Sequence, residues 1–396
     1  MFNPLIASEC AHGQTIGIAT ADELVHAVAE ANRNGGGRTI LLRDGTYSIL
    51  ETLNINAPGI AIVGESGNPS NVVIRGDAMT PSAAVGVVIR VAAPNFRLEG
   101  VSVQESRFHA VQIAGESDAD APVLRNCILR DAYQQLVKVS VDRDNTSVSS
   151  DGGLIENCVL EYSGGIGPNF YIGGIDALGA KNWTIRGNTL RNIASPHTAV
   201  GGFAIHFWSG SESNVVERNT IIDCDRGIGF GLDDAPNIGG VIRNNMIYHA
   251  ANGAPFGDVG IALTDSPDSR VYNNTIFVEH GYPNAIEYRF PNTRNVMIFN
   301  NLANRKIQSR DGGSGTTAGN VGSAVAIWFL SPPDGNLRLA SAVPAVIDAG
   351  QPIADLLDDF DGDRRPEGTA LDVGADEVTE QQRSLWLIRE SPTPVD

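Results

Sequence analysis

The sequence predicts an all-β chain wound into a single-stranded parallel β-helix, a solenoid with an N-terminal helical cap and a C-terminal capping segment. Three observations predict it. A pattern of one apolar residue, two variable positions, Asn, one variable position and an aliphatic residue recurs through the middle of the chain. It reads VLRNCI around Asn126, LIENCV around Asn157, TIRGNTL around Asn188, VVERNTI around Asn219, VIRNNMI around Asn245 and RVYNNTI around Asn274, with a looser MIFNNL at Asn300. These asparagines stand 26 to 31 residues apart, which is a solenoid period. A second short apolar segment alternates with these copies: AVQI before Asn126, then LVKV, GIDA, AIHF, GIGF, GIAL and AIEY after the six copies from Asn126 to Asn274. Several short β-segments per turn, with no long helical pattern between them, let each coil pair with the next at about 4.8 Å. The composition agrees, with 44 glycines and only 6% aromatic residues, as expected of a turn-rich β protein. A β-sandwich with Asn-rich hairpins competes, but hairpins would not keep Asn in fixed register with two flanking strands.

Each element follows in order. Thr20-Ala21-Asp22-Glu23 is a capping box, and Leu24, Ala27, Val28 and Ala31 repeat at helical spacing until Gly35-Gly36-Gly37 stops the helix. Residues 1–37 therefore form an N-terminal segment and a helix over the open end of the first coil, which would otherwise be a bare strand edge. The β-helix is expected over 38–310, starting with Ile40-Leu41-Leu42. Its asparagines should stack as a ladder, since Asn tolerates the left-handed turn and inward amides can bond along the axis. The repeat fades through Asp311-Gly312-Gly313-Ser314-Gly315, leaving 311–396 as a C-terminal capping segment.

Charge and cysteine usage exclude some classes. A net charge of −18 argues against sequence-independent binding to nucleic acid or to an anionic membrane. No apolar run approaches the length of a membrane span. Cys10, Cys127, Cys158 and Cys224 contain no CxxC pair, hence no zinc signature and no dense disulfide framework. Cys127 and Cys158 sit at equivalent positions one coil apart, where two stacked buried thiols are favoured over a disulfide. No basic stretch followed by an apolar one opens the chain, so no signal peptide is visible in this sequence.

Aligning the second segments on Val111, Val137, Ile175, Ile205, Ile228, Ile261 and Ile286 places Gln112, Lys138, Asp176, His206, Gly229, Ala262 and Glu287 in one outward column. The neighbouring column includes Trp208 and Arg289. Lys138, Asp176 and His206 are either solvated strand positions with one weak ion pair, or an acid/base cluster beside the Trp208 indole. In the second reading, Gly229 and Ala262 leave a trough for a sugar ring. Arg226 suits a bidentate grip on a carboxylate, or else a salt bridge to Asp225 or Asp258. Tyr171, before Gly173-Gly174, is either a packed loop residue or a proton donor. Loops at 141–152, 162–172, 195–202 and 233–239 would wall this face. Asp359-Phe360-Asp361-Gly362-Asp363 has the look of a calcium loop but lacks the closing glutamate, position 370 being Ala, so a structural turn is preferred.

The ATADELVHAVAEANRNGGGRTILLRDGTY opening, the Asn repeat and the DFDGDRRPEGTALDVGADE tail resemble right-handed parallel β-helix proteins of the pectate-lyase-like superfamily. The stretches YIGGIDALGAKNW, AIHFWSGS and CDRGIGFGL are similar to a bacterial branch of that superfamily. The resemblance implies a polysaccharide or oligosaccharide partner, a secreted or periplasmic location, and a choice among lyase, hydrolase, epimerase and non-catalytic binder. The favoured expectation is a lyase that cleaves a uronic-acid glycan by β-elimination. His206 or Lys138 would be the base, Arg226 or a cation held by Asp176 the neutraliser, and Tyr171 or His206 the acid. A carboxylate beside Lys138 favours its ammonium form, which gives His206 the better claim to proton abstraction. Trp208, Glu287 and Arg289 would contact substrate. No cofactor is certain; the overall negative charge requires either a locally basic groove or bound Ca²⁺, whose ligands the sequence leaves unknown. A glycoside hydrolase using Asp176 with Glu287, or Asp233 with Asp234, is the runner-up, although four coils separate the first pair. A non-catalytic carbohydrate binder is the third reading.

Overall fold

The computed structural model describes residues 15–142, 144–196, 199–251 and 257–390. Cys10 and the first residues of the chain lie outside them, as do Arg143, His197 and Thr198 of the expected cleft walls. The chain coils into three parallel sheets that run the length of a β-helix. The first has twelve strands, from Thr15–Ile18 to Gly315–Ala318. The second has ten, from Leu53–Ile55 to Lys306–Arg310, and the third ten, from Gly45–Ser48 to Leu302–Ala303. The first sheet thus begins before residue 38 and ends after residue 310. Among the described residues, no helix is long and apolar enough to cross a membrane.

The seven aligned aliphatics, from Val111 to Ile286, are all fully buried in one continuous core. Burying a side chain of this size contributes about 2 kcal/mol, and the core repeats it on every coil. The helix Ala21–Arg33 closes one end: Thr20 and Glu23 form the reciprocal capping box, and Leu24, Ala27, Val28 and Ala31 face the core.

The asparagine ladder differs from the sequence expectation by one residue at three of its seven positions. Asn188, Asn219, Asn245, Asn274, Asn301 and Asn320 stack inside the coil, each Nδ2 donating to the next Oδ1 at 2.9–3.0 Å. Asn126, Asn157 and Asn300 belong to the adjacent column, which turns the chain with positive φ. Cys158 and Cys127 continue the inner column instead; the Cys158 backbone N–H donates to Asn188 Oδ1, and the Cys127 N–H lies 3.4 Å from Cys158 Sγ. Both thiols are free and buried. Two small polar residues stand side by side in NC and NN, and apolar flanks alone do not say which of them turns inward.

The turning column has its own task at the far end. Asn244, Asn273 and Asn300 donate their amides to backbone carbonyls of Asp358, Asp372 and Gln351, so the last coils grip the C-terminal segment. That segment builds a second apolar core against the third sheet, with Met246, Tyr248, Phe277, Phe329, Leu337 and Val373. Inside it, Arg365 and Glu377 form a fully buried ion pair at 3.1 Å. Burial, then the nearby Asp359, push the Asp376 carboxyl up to about 7; burial, then Asp372, push Glu377 up to about 6.

Candidate functional site

Strand pairing in the second sheet reproduces the outward column: Gln112, Lys138, Asp176, His206, Gly229, Ala262 and Glu287 are successive partners. At Asp176 and His206 the column opens into a cleft of about 220 Å³, with Lys138 beside it on the next strand. The exposed Phe170, Tyr171 and Leu232 form its rim; Gln135, Ile172, Gly173, Gly202, Phe203, Trp208 and Arg226 complete its lining.

Asp176 is the hub. Lys138 Nζ donates to its Oδ2 at 2.5 Å and Trp208 Nε1 donates to its Oδ1 at 2.7 Å. His206 Nδ1 stands 3.7 Å from the same Oδ1. The side chains of Lys138, Asp176 and His206 are only 12 to 14% exposed, so the pair is screened less than a surface salt bridge. Burial alone would raise the Asp176 pKa. Lys138 and His206, followed by the hydrogen bonds from Lys138 and Trp208, outweigh it and hold the carboxyl below its usual range.

The His206 ring lies between two aromatics, stacked on Trp208 at 5.6 Å and 8° and tilted against Phe203 at 4.8 Å. Its Nε2 is 3.0 Å from the Gly231 carbonyl oxygen. A carbonyl only accepts, so Nε2 carries the proton and, in the neutral ring, Nδ1 keeps a lone pair on the Asp176 side. Burial lowers the His206 pKa from 6.5 against the opposing pull of Asp176, which leaves the ring neutral at pH 7.

Arg226 takes the second of its sequence alternatives: its Nε donates to Asp258 Oδ2 at 2.9 Å, with the guanidinium 5.2 Å over the Phe203 ring. No hydrogen bond from the described residues occupies its two terminal nitrogens. Asp225 serves the backbone instead, accepting from Ser195 and Gly201. Tyr171 is 55% exposed at the rim, so it is not packed on the coil.

Other expectations end elsewhere. Glu287 and Arg289 are not part of the cleft. Glu287 is buried and accepts from Arg310, Asn284 and Tyr282 at 2.8–2.9 Å, and Arg289 is spent on Asp311. The trough expected at Gly229 is filled: a Cβ there would meet the Phe203 ring at 2.8 Å, so this glycine makes room for Phe203. Asp233 and Asp234 are exposed and do not line the cleft. The cleft does not suit Ca²⁺ either, because Asp176 already holds an ammonium and an indole N–H and no second carboxylate lines it. Among the described residues the acidic oxygens that do converge are those of Asp359, Asp361 and Asp376, in the C-terminal segment.

Sequence reasoning named Arg226 but missed Gln135, Gly173 and Phe203; Gln135 pairs with Gly173 and Phe203 with Arg226, and all four line the cleft. Strict alternation would turn them inward with Val137 and Ile205. Instead Leu136 and Val137, and likewise Ala204 and Ile205, are consecutive core residues, so alternation breaks where these strands begin. The small Gly229, opposite His206 and beneath the Phe203 ring, was the one sequence trace of it.

Residues 138–282 match a family described as the right handed beta helix region, a range that includes every cleft-lining residue but Gln135. No curated protein matches the chain. Among solved structures, pectate lyase Pel9A is 18% identical over 88% of this chain and 90% of its own, with a TM-score of 0.49. The Dettilon tailspike protein is 14% identical over 79% of this chain and 60% of its own, with a TM-score of 0.47. A mannuronic acid specific polysaccharide family 6 lyase from human gut microbiota is 13% identical over 78% and 82%, with a TM-score of 0.38. Likenesses this loose assign no reaction. The chain is a right-handed parallel β-helix with an aromatic-lined, charged cleft on its second sheet.

Proposed function

We propose that the cleft binds a uronic-acid-containing glycan and cleaves it by β-elimination. The observation that carries this reading is the pairing of a neutral His206 with an ionised Asp176. A base must be unprotonated before the step and its cation stabilised after it. His206 Nδ1 meets both demands, because burial keeps the ring neutral and the new N–H would point at Asp176 Oδ1. Lys138 and Trp208 keep that carboxylate charged and in place.

In the step, Nδ1 takes the proton α to the sugar carboxylate, and the electron pair expels the glycosidic oxygen at the β carbon. Arg226, whose terminal nitrogens take no hydrogen bond from the described residues, neutralises the carboxylate as charge builds on it. Tyr171, at the rim, returns a proton to the leaving oxygen. Phe203, Trp208 and Phe170 offer apolar faces to the sugar rings. Lys138 and Arg226 offset the charges of Asp176 and Asp258, so these four groups add no net negative charge to meet an acidic polymer.

Two-carboxylate hydrolysis fits less well, since Asp176 is the single carboxylate among the cleft-lining residues and is already engaged. The test is a panel of uronic-acid polymers assayed for the ultraviolet absorbance of an unsaturated product end. New reducing ends without that absorbance would replace the lyase reading with hydrolysis. Binding with no new ends would leave a carbohydrate-binding protein.

A further inference from the structure

Away from the cleft, three carboxylates from two separate stretches converge in the C-terminal segment. One oxygen each of Asp359, Asp361 and Asp376 lies within 4.8 Å of the others. Asp359 and Asp361 sit on a tight turn, in which Asp359 Oδ1 accepts the backbone N–H groups of Asp361 and Asp363. Its Oδ2 accepts the N–H of Glu377, which brings Asp376 alongside.

The partners of the three differ sharply. Asp359 is fully buried and satisfied by three backbone donors. Asp361, at the exposed edge, is gripped by Arg338, whose guanidinium lies 4.9 Å over the Phe360 ring. Asp376 is only 7% exposed, and its Oδ2 is buried without a hydrogen-bond partner. A buried carboxylate oxygen with no donor carries a desolvation penalty that folded proteins seldom leave unanswered.

We propose that Asp359, Asp361 and Asp376 form the protein side of a site for a hard divalent cation of the calcium type, which fastens the C-terminal segment to the solenoid. Calcium sits about 2.4 Å from its oxygen ligands, so three oxygens within 4.8 Å of one another need side-chain shifts of at most about 0.4 Å to meet one ion. An oxygen-only set excludes the softer transition metals as preferred occupants. Ligands from a turn and a distant loop, with Asp361 open to water, suit calcium's loose coordination better than the strict octahedron of magnesium. The existing bonds leave room for an ion: Asp359 Oδ1 is filled by two N–H donors, but Asp359 Oδ2 accepts only one and keeps a lone pair, as does each oxygen of Asp361. Asp358, the residue before the turn, is itself paired with Arg218, and its carbonyl accepts from Asn244. An ion here would therefore tie the turn, the Asp376 loop and two coils of the β-helix together. This inference is independent of the reaction proposed for the cleft.

The experiment is calorimetric titration of CaCl₂, and separately MgCl₂, into the EDTA-stripped full chain, with thermal unfolding in parallel. The expected result is one Ca²⁺ per chain bound more tightly than Mg²⁺, and a melting temperature that rises with Ca²⁺ concentration. In Asp376→Asn both effects should vanish, while the stripped variant melts no lower than the stripped parent, because an unpartnered buried charge has been removed. If that variant fails to fold, Asp361→Asn, at the exposed edge, serves as the second probe and should weaken Ca²⁺ binding at least about tenfold, the usual scale for losing a charged ligand group. No Ca²⁺ uptake at millimolar concentration, or unchanged uptake by the variants, would overturn the proposal and leave Arg338 and Arg365 as the cluster's counter-charges.

Discussion

Asp176 in the cleft and Asp376 in the C-terminal segment are both largely enclosed, yet their carboxyls are displaced in opposite directions. Desolvation raises both. At Asp176 an ammonium, an imidazole and an indole N–H reverse it, whereas Asp376 faces another carboxylate and receives no donor. Burial sets the size of the stakes and the partners set the sign. The cleft is complete within its own residues. The C-terminal cluster is short of one cation.

The largest effect that would sharpen this contrast is on turnover. His206→Ala should lower kcat/KM on the true substrate by at least about a hundredfold, the scale for losing a positioned base. Circular dichroism and the melting temperature should show the fold intact. Asp376→Asn should leave kcat/KM unchanged, and an equal loss in both variants would break the division between chemistry and cap.

Next comes stability. Asp176→Asn strands the Lys138 charge in a mostly enclosed position, and should cost about 3 kcal/mol in urea unfolding at pH 7. Because the Asp176 carboxyl is held below its unfolded range, the stability it adds is present above pH 4 and is lost as pH falls through its folded value. Asp376 has the opposite sign. Its folded value of about 7 exceeds the unfolded one, so the metal-free protein should gain stability from this group as pH falls from 7 toward 4. The parent should therefore become more stable relative to Asp376→Asn across that window. Parallel curves for the two would remove the claim that Asp376 is unpartnered.

A smaller effect concerns the pH profile. Burial lowers His206, so the acidic limb of kcat/KM should lie below pH 6.5. Lys138 adds to that lowering, so Lys138→Met should move the limb of its residual activity upward. A limb that stays in place would mean His206 is not the group that titrates.

The smallest expected change is with EDTA. Initial rates at low temperature should be unaltered while the melting temperature falls, because the cleft holds no cation set and the C-terminal segment does. An immediate loss of rate on adding EDTA would place the cation in the cleft instead.

Much of this was legible in the chain itself. A period of 26 to 31 residues, with two short apolar segments per repeat, permits little besides a stacked solenoid, since each coil buries its face only against its neighbours. Strand alternation over that period was enough to bring Lys138, Asp176, His206 and Trp208 together, residues spread over seventy positions of sequence. Register is rigid along a parallel stack, so a pattern found on one coil is carried to the next. Tertiary structure alone decided the rest. Whether Asn157 or Cys158 enters the ladder depends on where the backbone turns left-handed, and NC and NN dipeptides allow either. Phe203 and Arg226 line the cleft because alternation breaks at strand starts, a local rearrangement that hydrophobic pattern does not encode. Asp376 approaches Asp359 and Asp361 only because the last coils hold the returning segment by its backbone carbonyls, and a contact made through backbone atoms leaves no signature in side-chain sequence.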